Sequence, residues 1–462
     1  MSFTDKYTKA FKYLLPAPFT IAISLTIITF FIAFFSTRPE TESFSSYSIQ
    51  LLKYWEGGLW SSNLLVFALQ MMLMLVLGHV LALTKPVNYI INLAVKSCNN
   101  TAKAAALVTL LTIMVSLFNW GLGLIFGAIF ARKVAEHASQ LKIKINYPII
   151  GAAGYSGLMV WHGGLSGSSL AKVAEPSHLK SMMAGILPEA EIALLPEKIS
   201  YWETVGSNMN LFVISLLLAI LPLAMYWMGK RTTSALINVT DNEIEEEITQ
   251  IEGAEKLDHS KIFSLFFGGV ALFYVGYKIV IDYDYSVLDF FTPNNINLLL
   301  LALAIILHKS FYNFLKAIDR AIGGASGILI QFPLYFGIMG IMKSSGLVND
   351  ISAFFVEISN ETTYPIFTFL SAGLVNIFVP SGGGQWAVQG PIIVQAASDL
   401  GISLPKSIMA LAYGDQLTNM LQPFWALPLL GITGLKAKEI LPYTLFLMLI
   451  GTVIYLTGLL LF

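Results

Sequence analysis

Val379-Pro380-Ser381-Gly382-Gly383-Gly384-Gln385-Trp386 interrupts a long apolar run. Residues 365–379 and 391–397, on either side of it, are almost entirely hydrophobic. A proline and three consecutive glycines cannot continue a helix. Irregular backbone at membrane depth is tolerated only where protein buries it or where it lines a cavity. The stretch therefore predicts the tip of a re-entrant helical hairpin and a binding site at that tip. The alternative is a tight turn outside the membrane between two short helices.

The composition is that of a membrane protein. Of 462 residues, 56% are hydrophobic and only 12% are charged, whereas about 25% are charged in a typical soluble domain. The net charge of −1 gives no reason to expect a nucleic-acid partner. The single cysteine, Cys98, excludes an internal disulfide. We therefore predict an all-α polytopic protein whose surroundings are the lipid bilayer.

Apolar runs long or nearly long enough to cross a bilayer recur along the chain. They fall at residues 19–36, 63–83, 209–228, 262–281, 296–308, 322–342 and 441–462. Two further crossings, residues 148–174 and 405–433, contain polar interruptions and are predicted to be broken helices. Two glycine-broken runs, residues 104–134 and 364–398, are predicted to be hairpins that enter and leave on one side. This gives about nine full spans plus two re-entrant hairpins.

The positions of the basic residues favour an N-terminus in the cytoplasm. In that orientation most of the 27 Lys and Arg residues fall in cytoplasmic loops, as the positive-inside rule requires. Treating either hairpin as a full crossing would invert every later loop and remove the bias. Residues 1–18 are amphipathic and basic without a cleavage site, and are predicted to lie along the membrane interface. The acidic residues within 241–255 are interpreted as part of a solvated linker.

The order of these elements repeats. Each glycine-broken run is followed by a span that begins with proline and has a polar interruption. The predicted units are an N-terminal segment (1–18), a first repeat (19–228), a cytoplasmic linker with a connecting span (229–293) and a second repeat (294–462). The connecting span reverses the chain, so the second repeat starts in the opposite orientation. Inverted repeats with paired interrupted segments are typical of secondary transporters.

Three motifs resemble the bacterial short-chain fatty acid transporter family of the AtoE type. They are FVPSGGGQWAVQGP (378–391), YGDQLTNMLQP (413–423) and WHGGLSGS (161–168). The resemblance covers essentially the whole chain and implies uptake of acids such as butyrate or acetoacetate across the inner membrane. It also implies a wider ion-transporter superfamily with a homodimeric scaffold and elevator motion. Sodium–dicarboxylate members of that superfamily carry Ser-Asn-Thr at the hairpin tips. This chain has Asn119-Trp120-Gly121 and Pro380-Ser381-Gly382, so sodium coupling does not carry over.

The resemblance and the tip composition together predict the substrate site. A short-chain fatty acid is a carboxylate on a small apolar tail, and open N–H groups at helix N-termini can hold its head group. Neither hairpin tip contains Lys or Arg, which favours a monocarboxylate over a dicarboxylate. The predicted substrate-binding residues are Asn119, Gly121, Trp161, His162, Ser166, Asn376, Ser381, Gly382, Gly383, Gly384, Gln385 and Trp386.

Asp415 is the only acid within residues 405–433, and ionisable groups inside a membrane usually carry function. With Thr418, Asn419 and Ser156 it is predicted to bind the coupling cation, H⁺ or Na⁺. His162 lies in the matching span of the first repeat and can carry a proton or pair with the substrate carboxylate. The alternatives are a buried structural partner for Asp415 and a neutral, hydrogen-bonded His162. No cofactor other than a possible Na⁺ is expected.

Two alternatives remain open at this stage: a carboxylate or anion channel or facilitator, and a transporter of another small organic anion. An anion channel would also use two inverted broken helices, and saturable, gradient-coupled uptake would distinguish a carrier from it. An intramembrane enzyme is not expected, because neither HExxH nor GxSxG occurs in the sequence. The sequence therefore predicts a cation-coupled elevator-type transporter of short-chain monocarboxylates, and not an enzyme.

Overall fold

A computed structural model of the protein describes residues 17–184, 187–239, 253–282 and 292–462. Regular secondary structure within these ranges is helical, and the β-type pairings there are two isolated bridges, Ile145 with Ala235 and Ala184 with Leu187. The prediction of an all-α protein is confirmed. The predicted interfacial segment 1–18 and the acidic run within 241–255 lie almost entirely outside the described residues.

The α-helices of the described chain are numbered here in order. They are α1 (Pro18–Ser36), α2 (Phe44–Leu59), α3 (Ser62–Ala82), α4 (Lys85–Val95), α5 (Thr101–Phe118), α6 (Trp120–Gln140), α7 (Tyr147–Tyr155), α8 (Ser168–Ala174), α9 (His178–Met183), α10 (Glu189–Leu194), α11 (Asn208–Arg231), α12 (Glu255–Asp258), α13 (Lys261–Tyr277), α14 (Pro293–His308), α15 (Phe311–Ala321), α16 (Ser326–Ser344), α17 (Leu347–Glu357), α18 (Tyr364–Phe378), α19 (Gly382–Asp399), α20 (Leu404–Thr418), α21 (Pro423–Thr433) and α22 (Ala437–Leu461).

Seven stretches of the described residues are long and apolar enough to cross a membrane. They are α1, α3, α5, α11, Lys261–Ile281, Phe311–Ser344 and α22. Helices α14, α18 and α21 are apolar but shorter. A multi-pass membrane protein is therefore confirmed. Helix α5, predicted as one limb of a re-entrant hairpin, is itself long enough for a crossing.

Helix α2 was missing from the predicted elements. Lys53 and Glu56 interrupt its apolar residues, so no run long enough to span stands out in the sequence. Its packing against α16 depends on glycine: a Cβ on Gly58 would overlap the backbone of Phe336. Small residues let membrane helices approach this closely.

Two helix pairs form hairpins. In hairpin 1 (α5 and α6) the chain turns at Asn119, and a Cβ on Gly123 would lie 2.6 Å from the Cα of Ser116 on the opposite limb. In hairpin 2 (α18 and α19) the turn covers residues 379–381. The Tyr364 hydroxyl at the start of α18 donates to the carbonyl of Ile393 near the end of α19 at 2.8 Å. Because the start of α18 contacts the later part of α19, the two helices must run antiparallel.

Two further helices are interrupted. Helix α7 ends at Tyr155 and α8 begins at Ser168, with short 3₁₀ turns Ser156–Met159 and Trp161–Gly163 between them; residues 156–167 are called break 1. Helix α20 ends at Thr418 and α21 begins at Pro423, with a 3₁₀ turn between them; residues 419–422 are called break 2. Proline suits the first position of α21 because its missing N–H would have no partner there.

Candidate functional site

The two breaks meet inside the molecule. The Tyr155 hydroxyl, at the end of α7, lies 2.8 and 2.9 Å from the carbonyl oxygens of Asn419 and Gln422, which share its one hydrogen. The Asn419 amide donates back to the carbonyl of Leu158 at 3.3 Å. Unwound segments expose carbonyls that need partners where water is scarce. The end of α7 therefore supplies part of the hydrogen bonding that break 2 requires, and break 2 supplies part of that required by break 1.

His162 in break 1 pairs directly with Asp415 of α20. The imidazole Nε2 accepts the backbone N–H of Ser169 at 3.1 Å and lies 2.8 Å from the Ser169 hydroxyl. Because Nε2 is an acceptor, the ring proton lies on Nδ1, which donates to Asp415 Oδ2. All three side chains are buried. The pair joins an ionisable group from each interrupted helix at one buried point.

Gln416 fixes the backbone beside this pair. Its Oε1 accepts the N–H groups of His162 and Gly163 at 2.8 and 3.1 Å. Its amide nitrogen donates to the hydroxyl of Tyr455 at 2.9 Å. The amide therefore holds break 1 in the conformation that presents His162 to Asp415.

The tip of hairpin 2 touches the same pair. Ser381 Oγ accepts the N–H of Gly384 at 3.2 Å and so caps α19. A Cβ on Gly382 would lie 3.0 Å from Asp415 Oδ2 and 3.0 Å from His162 Cε1. A side chain at this position would crowd both ionisable groups, and the glycine lets the backbone approach them closely.

The N–H groups of Gly382 and Gly383 make no hydrogen bond within the described part of the chain. These are first-turn groups of an 18-residue helix, which carry a partial positive charge. The ring carbon Cη2 of Trp161 lies 2.9 Å from a Cβ built on Gly382, whereas the indole N–H of Trp161 is buried and has no partner in the described structure. The two open N–H groups of Gly382 and Gly383 can bind an anion.

Asn376 gathers oxygen atoms beside break 2. Its Nδ2 lies 2.7 Å from the carbonyl of Asp415 and 2.9 Å from both Thr418 Oγ1 and Asn419 Oδ1. One amide has two hydrogens for these three acceptors. If the Asn376 amide were turned by 180°, its Oδ1 would join these three oxygens. Four oxygen atoms in one place are suitable ligands for a hard cation. In the described residues no group of three or more His, Cys, Asp and Glu side chains is arranged to hold a metal.

The tip of hairpin 1 has one more of its first-turn N–H groups bonded than the tip of hairpin 2. Asn119 Oδ1 accepts the N–H of Leu122 at 3.0 Å and caps α6. The N–H of Trp120 donates to Ser166 Oγ at 2.9 Å. Gly121 faces the side chain of Met74. Most of the first-turn region of α6 is therefore occupied by protein.

A cavity of about 1400 Å³ extends from tip 2 to the protein surface. Trp120 contacts two other tryptophans of its wall, with ring centroids 5.8 Å from Trp161 and 5.2 Å from Trp425. The exposed Lys172 and Lys198 also line it. The cavity thus combines backbone donors, an aromatic wall and cationic groups.

The predicted site residues separate into three groups. Those that line the cavity are Trp161, Ser166, Ser381, Gly382, Gly383 and Trp386. Those behind it, around the breaks, are His162, Asp415, Asn376, Thr418 and Asn419. Those bonded or packed locally are Asn119, Gly121, Gly384, Gln385 and Ser156.

In the last group, Gln385 donates to the Ala372 carbonyl inside hairpin 2 at 2.8 Å, and Ser156 donates to the Ala153 carbonyl at 2.7 Å. These side chains are directed to other protein groups.

The sequence analysis missed Ser169 and Asn210. Asn210 Nδ2 donates to the carbonyl of Gly163 at 2.9 Å, and its Oδ1 accepts the hydroxyl of Tyr413 at 2.9 Å. Asn210 could have been found in the sequence, because a polar amide near the start of a long apolar helix needs a buried partner. Ser169 could not, because only the folding of break 1 brings it to His162.

Comparison with known proteins identifies relatives along nearly the whole chain. The family model described as "Short chain fatty acid transporter" matches residues 2–462. A protein of Escherichia coli strain K12 is 35% identical over 455 residues, which is 97% of this chain and 96% of that protein. One of Haemophilus influenzae is 34% identical over 461 residues, with the same coverage. Both carry a provisional name as short-chain fatty acid transporters.

The crystal structure of the Alcanivorax borkumensis YdaH transporter aligns with a TM-score of 0.44 and 15% identity, covering 95% of this chain and 97% of that one. A structural likeness this weak does not establish a shared fold. The sequence matches are sufficient by themselves: relatives and family alike are transporters and not enzymes, and this chain belongs to the short-chain fatty acid transporter family.

Proposed function

We propose that this protein takes up short-chain monocarboxylates, such as butyrate or acetoacetate, across the bacterial inner membrane. The observation that carries the proposal is the pair of unbonded N–H groups of Gly382 and Gly383 beside the cavity. A carboxylate there would gain two backbone donors and the favourable end of the α19 dipole.

The surroundings of tip 2 suit an anion of single charge. No Lys or Arg occurs within residues 364–398, so hairpin 2 itself offers no counter-charge to a second carboxylate; the lysines of the cavity wall, Lys172 and Lys198, belong to other segments. The tryptophans of the wall offer apolar surface to a short acyl chain. A small acid with one charged end and one apolar end matches both features.

We also propose that uptake is coupled to a cation, H⁺ or Na⁺, through Asp415. A proton would be shared within the Asp415–His162 pair, whose remaining hydrogen bond to Ser169 fixes the ring. Sodium would use the oxygens gathered by Asn376, Thr418 and Asn419. Both positions lie next to tip 2, so binding at either would change the electrostatic potential at the proposed carboxylate site.

The larger-scale mechanism is proposed on family resemblance and on the order of the elements. Hairpin 1 is followed by the helix with break 1, and hairpin 2 by the helix with break 2. This order supports inverted repeats, and it supports re-entrant hairpins that move with the interrupted helices as an elevator. A homodimeric scaffold and a cytoplasmic N-terminus belong to the same proposal.

The decisive experiment is labelled butyrate uptake into proteoliposomes under a sodium gradient and, separately, under a proton gradient. Saturable accumulation under one gradient would support a carrier and identify its coupling ion. Downhill flux without saturation would support the alternative of an anion channel or facilitator. No flux would refute the substrate assignment.

The carboxylate site has its own test in two substitutions at one residue. Gly383→Pro removes the N–H in the first helical turn, where proline is tolerated. Gly383→Ala keeps the N–H, and its Cβ would be 3.9 Å from its nearest neighbour, the Ser168 side chain. We expect KM for butyrate to rise about tenfold only in Gly383→Pro, the value of one hydrogen bond to a charged group. Equal effects of both variants would contradict the site.

A further inference from the structure

Trp386 in hairpin 2 is held by a histidine from the other half of the chain. Its indole N–H donates to His178 Nε2 at 3.0 Å, and the two ring centroids are 6.3 Å apart. Trp386 is 2% exposed, lines the cavity and lies against Gly390 of its own helix. Because His178 Nε2 accepts this hydrogen bond, the proton of the neutral imidazole lies on Nδ1.

His178 is fixed by a strap, which we define as residues 173–184 and 187–199. The N–H of Ile199 donates to the carbonyl of Val173, and that of Ser177 to the carbonyl of Glu197, each at 2.8 Å. Ser177 adopts a left-handed conformation with φ of 58°, which is unfavourable for a residue other than glycine. Glu197 compensates by accepting the Ser177 hydroxyl. The strap therefore holds His178 in place independently of Trp386.

The charged groups around His178 come from the strap and its flanks. Lys172 of α8 pairs with Glu175 at 2.8 Å, and Lys180 pairs with Glu197 at 2.9 Å. Helix α19 has no charged residue before Asp399. The remaining charged groups of the strap, all exposed, are Glu189, Glu191 and Lys198.

Burial lowers the pKa of His178 below its usual 6.5, while Glu175 raises it and Lys172 lowers it. The imidazole is therefore neutral at pH 7, as the hydrogen bond from Trp386 requires. The Ser177 hydroxyl and Lys180 lower the pKa of Glu197, which therefore stays ionised in mild acid.

We propose that His178 is a positioning residue for the cavity wall: it holds Trp386 while neutral and releases it when protonated. An imidazolium carries a hydrogen on both nitrogens, so it cannot accept the indole N–H. Trp386 would then be a buried donor without a partner, which favours displacement of α19 from the strap. The pKa of His178 is depressed, so the contact is fully formed above pH 6.5 and is lost as the pH falls through the lowered value. Only the assignment of this cavity to substrate rests on the proposed function.

The positioning role can be measured without transport. Nitroxide labels at Ser181→Cys and Ala387→Cys, both exposed, would report the distance between strap and α19 once Cys98 is replaced by Ala. We expect a narrow distance distribution at about pH 7.5 that broadens at about pH 5. His178→Gln should stay narrow at both values, because its amide oxygen accepts the indole N–H and does not titrate. Trp386→Phe should be broad at both.

A distribution that does not respond to pH, or a response that persists in His178→Gln, would overturn the proposal. Replacing Glu197 by Gln is the matched control: the narrow state should weaken, but the pH of the transition should stay close to that of the unmodified protein. A transition that moves with Glu197 instead of His178 would also refute the assignment.

Transport supplies a second readout. Butyrate exchange across proteoliposomes with equal pH on both sides should show KM rising about fivefold on acidification, the equivalent of one hydrogen bond of about 1 kcal/mol. His178→Gln should abolish that rise, and kcat should change little. If the label distances respond to pH but no butyrate exchange occurs, the substrate assignment fails and the positioning role stands.

Discussion

The two hairpin tips have the same cap and different surroundings. Asn119 caps α6 and Ser381 caps α19, each accepting the N–H three residues further on, at 3.0 and 3.2 Å. At tip 1 the hydroxyl of Ser166 takes the N–H of Trp120. At tip 2 the N–H groups of Gly382 and Gly383 are left open beside a cavity. The comparison teaches that a shared local motif fixes the backbone, whereas the neighbours decide whether its donors serve structure or ligand.

The largest effect should come from the ionisable pair behind tip 2. In Asp415→Asn the amide oxygen can still accept the His162 Nδ1 proton, so the fold is retained while the charge is lost. A buried charge interaction of about 3 kcal/mol corresponds to roughly a hundredfold change, which we expect in gradient-driven uptake. Asn119→Asp at tip 1 is the control with an added charge. Equal loss in both would abolish the distinction between the tips.

The second effect compares neighbouring glycines of tip 2. A Cβ on Gly382 would lie 2.9 Å from the Trp161 ring and 3.0 Å from Asp415 Oδ2, so Gly382→Ala overpacks the site. Overpacking of this kind costs about 1–3 kcal/mol, and we expect uptake to fall about tenfold. Gly383→Ala meets nothing closer than 3.9 Å and should change uptake little. Uptake assays with matched protein amounts decide between them, and a larger loss in Gly383→Ala would be inconsistent with the geometry.

The class of protein and several site residues could be predicted from the sequence. The apolar runs and glycine-rich interruptions gave the class of protein and drew attention to Gly382 and Gly383, because chain breaks inside apolar runs are local features. Intramembrane charge drew attention to Asp415 and His162 for the same reason. Such signals need no knowledge of which elements are neighbours.

The contacts between residues far apart in the sequence could not be predicted. That His162 bonds Ser169 depends on the path of break 1, and that Trp386 meets His178 depends on packing between residues 208 positions apart. Helix α2 was not predicted because its packing depends on glycine contacts and not on an apolar run. Gln385, predicted from its position in the motif to bind substrate, has its amide bonded within hairpin 2. A motif identifies a segment but not the direction of each side chain.

The third prediction removes the two caps. Asn119→Ala and Ser381→Ala should each lower stability by about 1 kcal/mol, the usual value of an N-cap. Only Ser381→Ala should raise KM for butyrate, because the N–H groups of Gly382 and Gly383 in α19 are unbonded, whereas Ser166 accepts the N–H of Trp120 in α6. Thermal unfolding in detergent and concentration-dependent uptake provide the two readouts. A raised KM in both variants would mean that tip 1 also binds substrate.

The smallest effect should come from Ser166→Ala. This variant tests whether tip 1 differs from tip 2 because Ser166 accepts one of its N–H groups. Ser166→Ala removes the acceptor of the Trp120 N–H, which costs about 1 kcal/mol or less of stability when water can replace it. Since Ser166 and Trp120 line the cavity, that N–H would become available to solvent or ligand. If tip 1 has a structural role, KM for butyrate should stay unchanged and only the unfolding temperature should drop. If KM falls instead, the freed N–H has joined the carboxylate site, and tip 1 differs from tip 2 only in having Ser166 as its occupant.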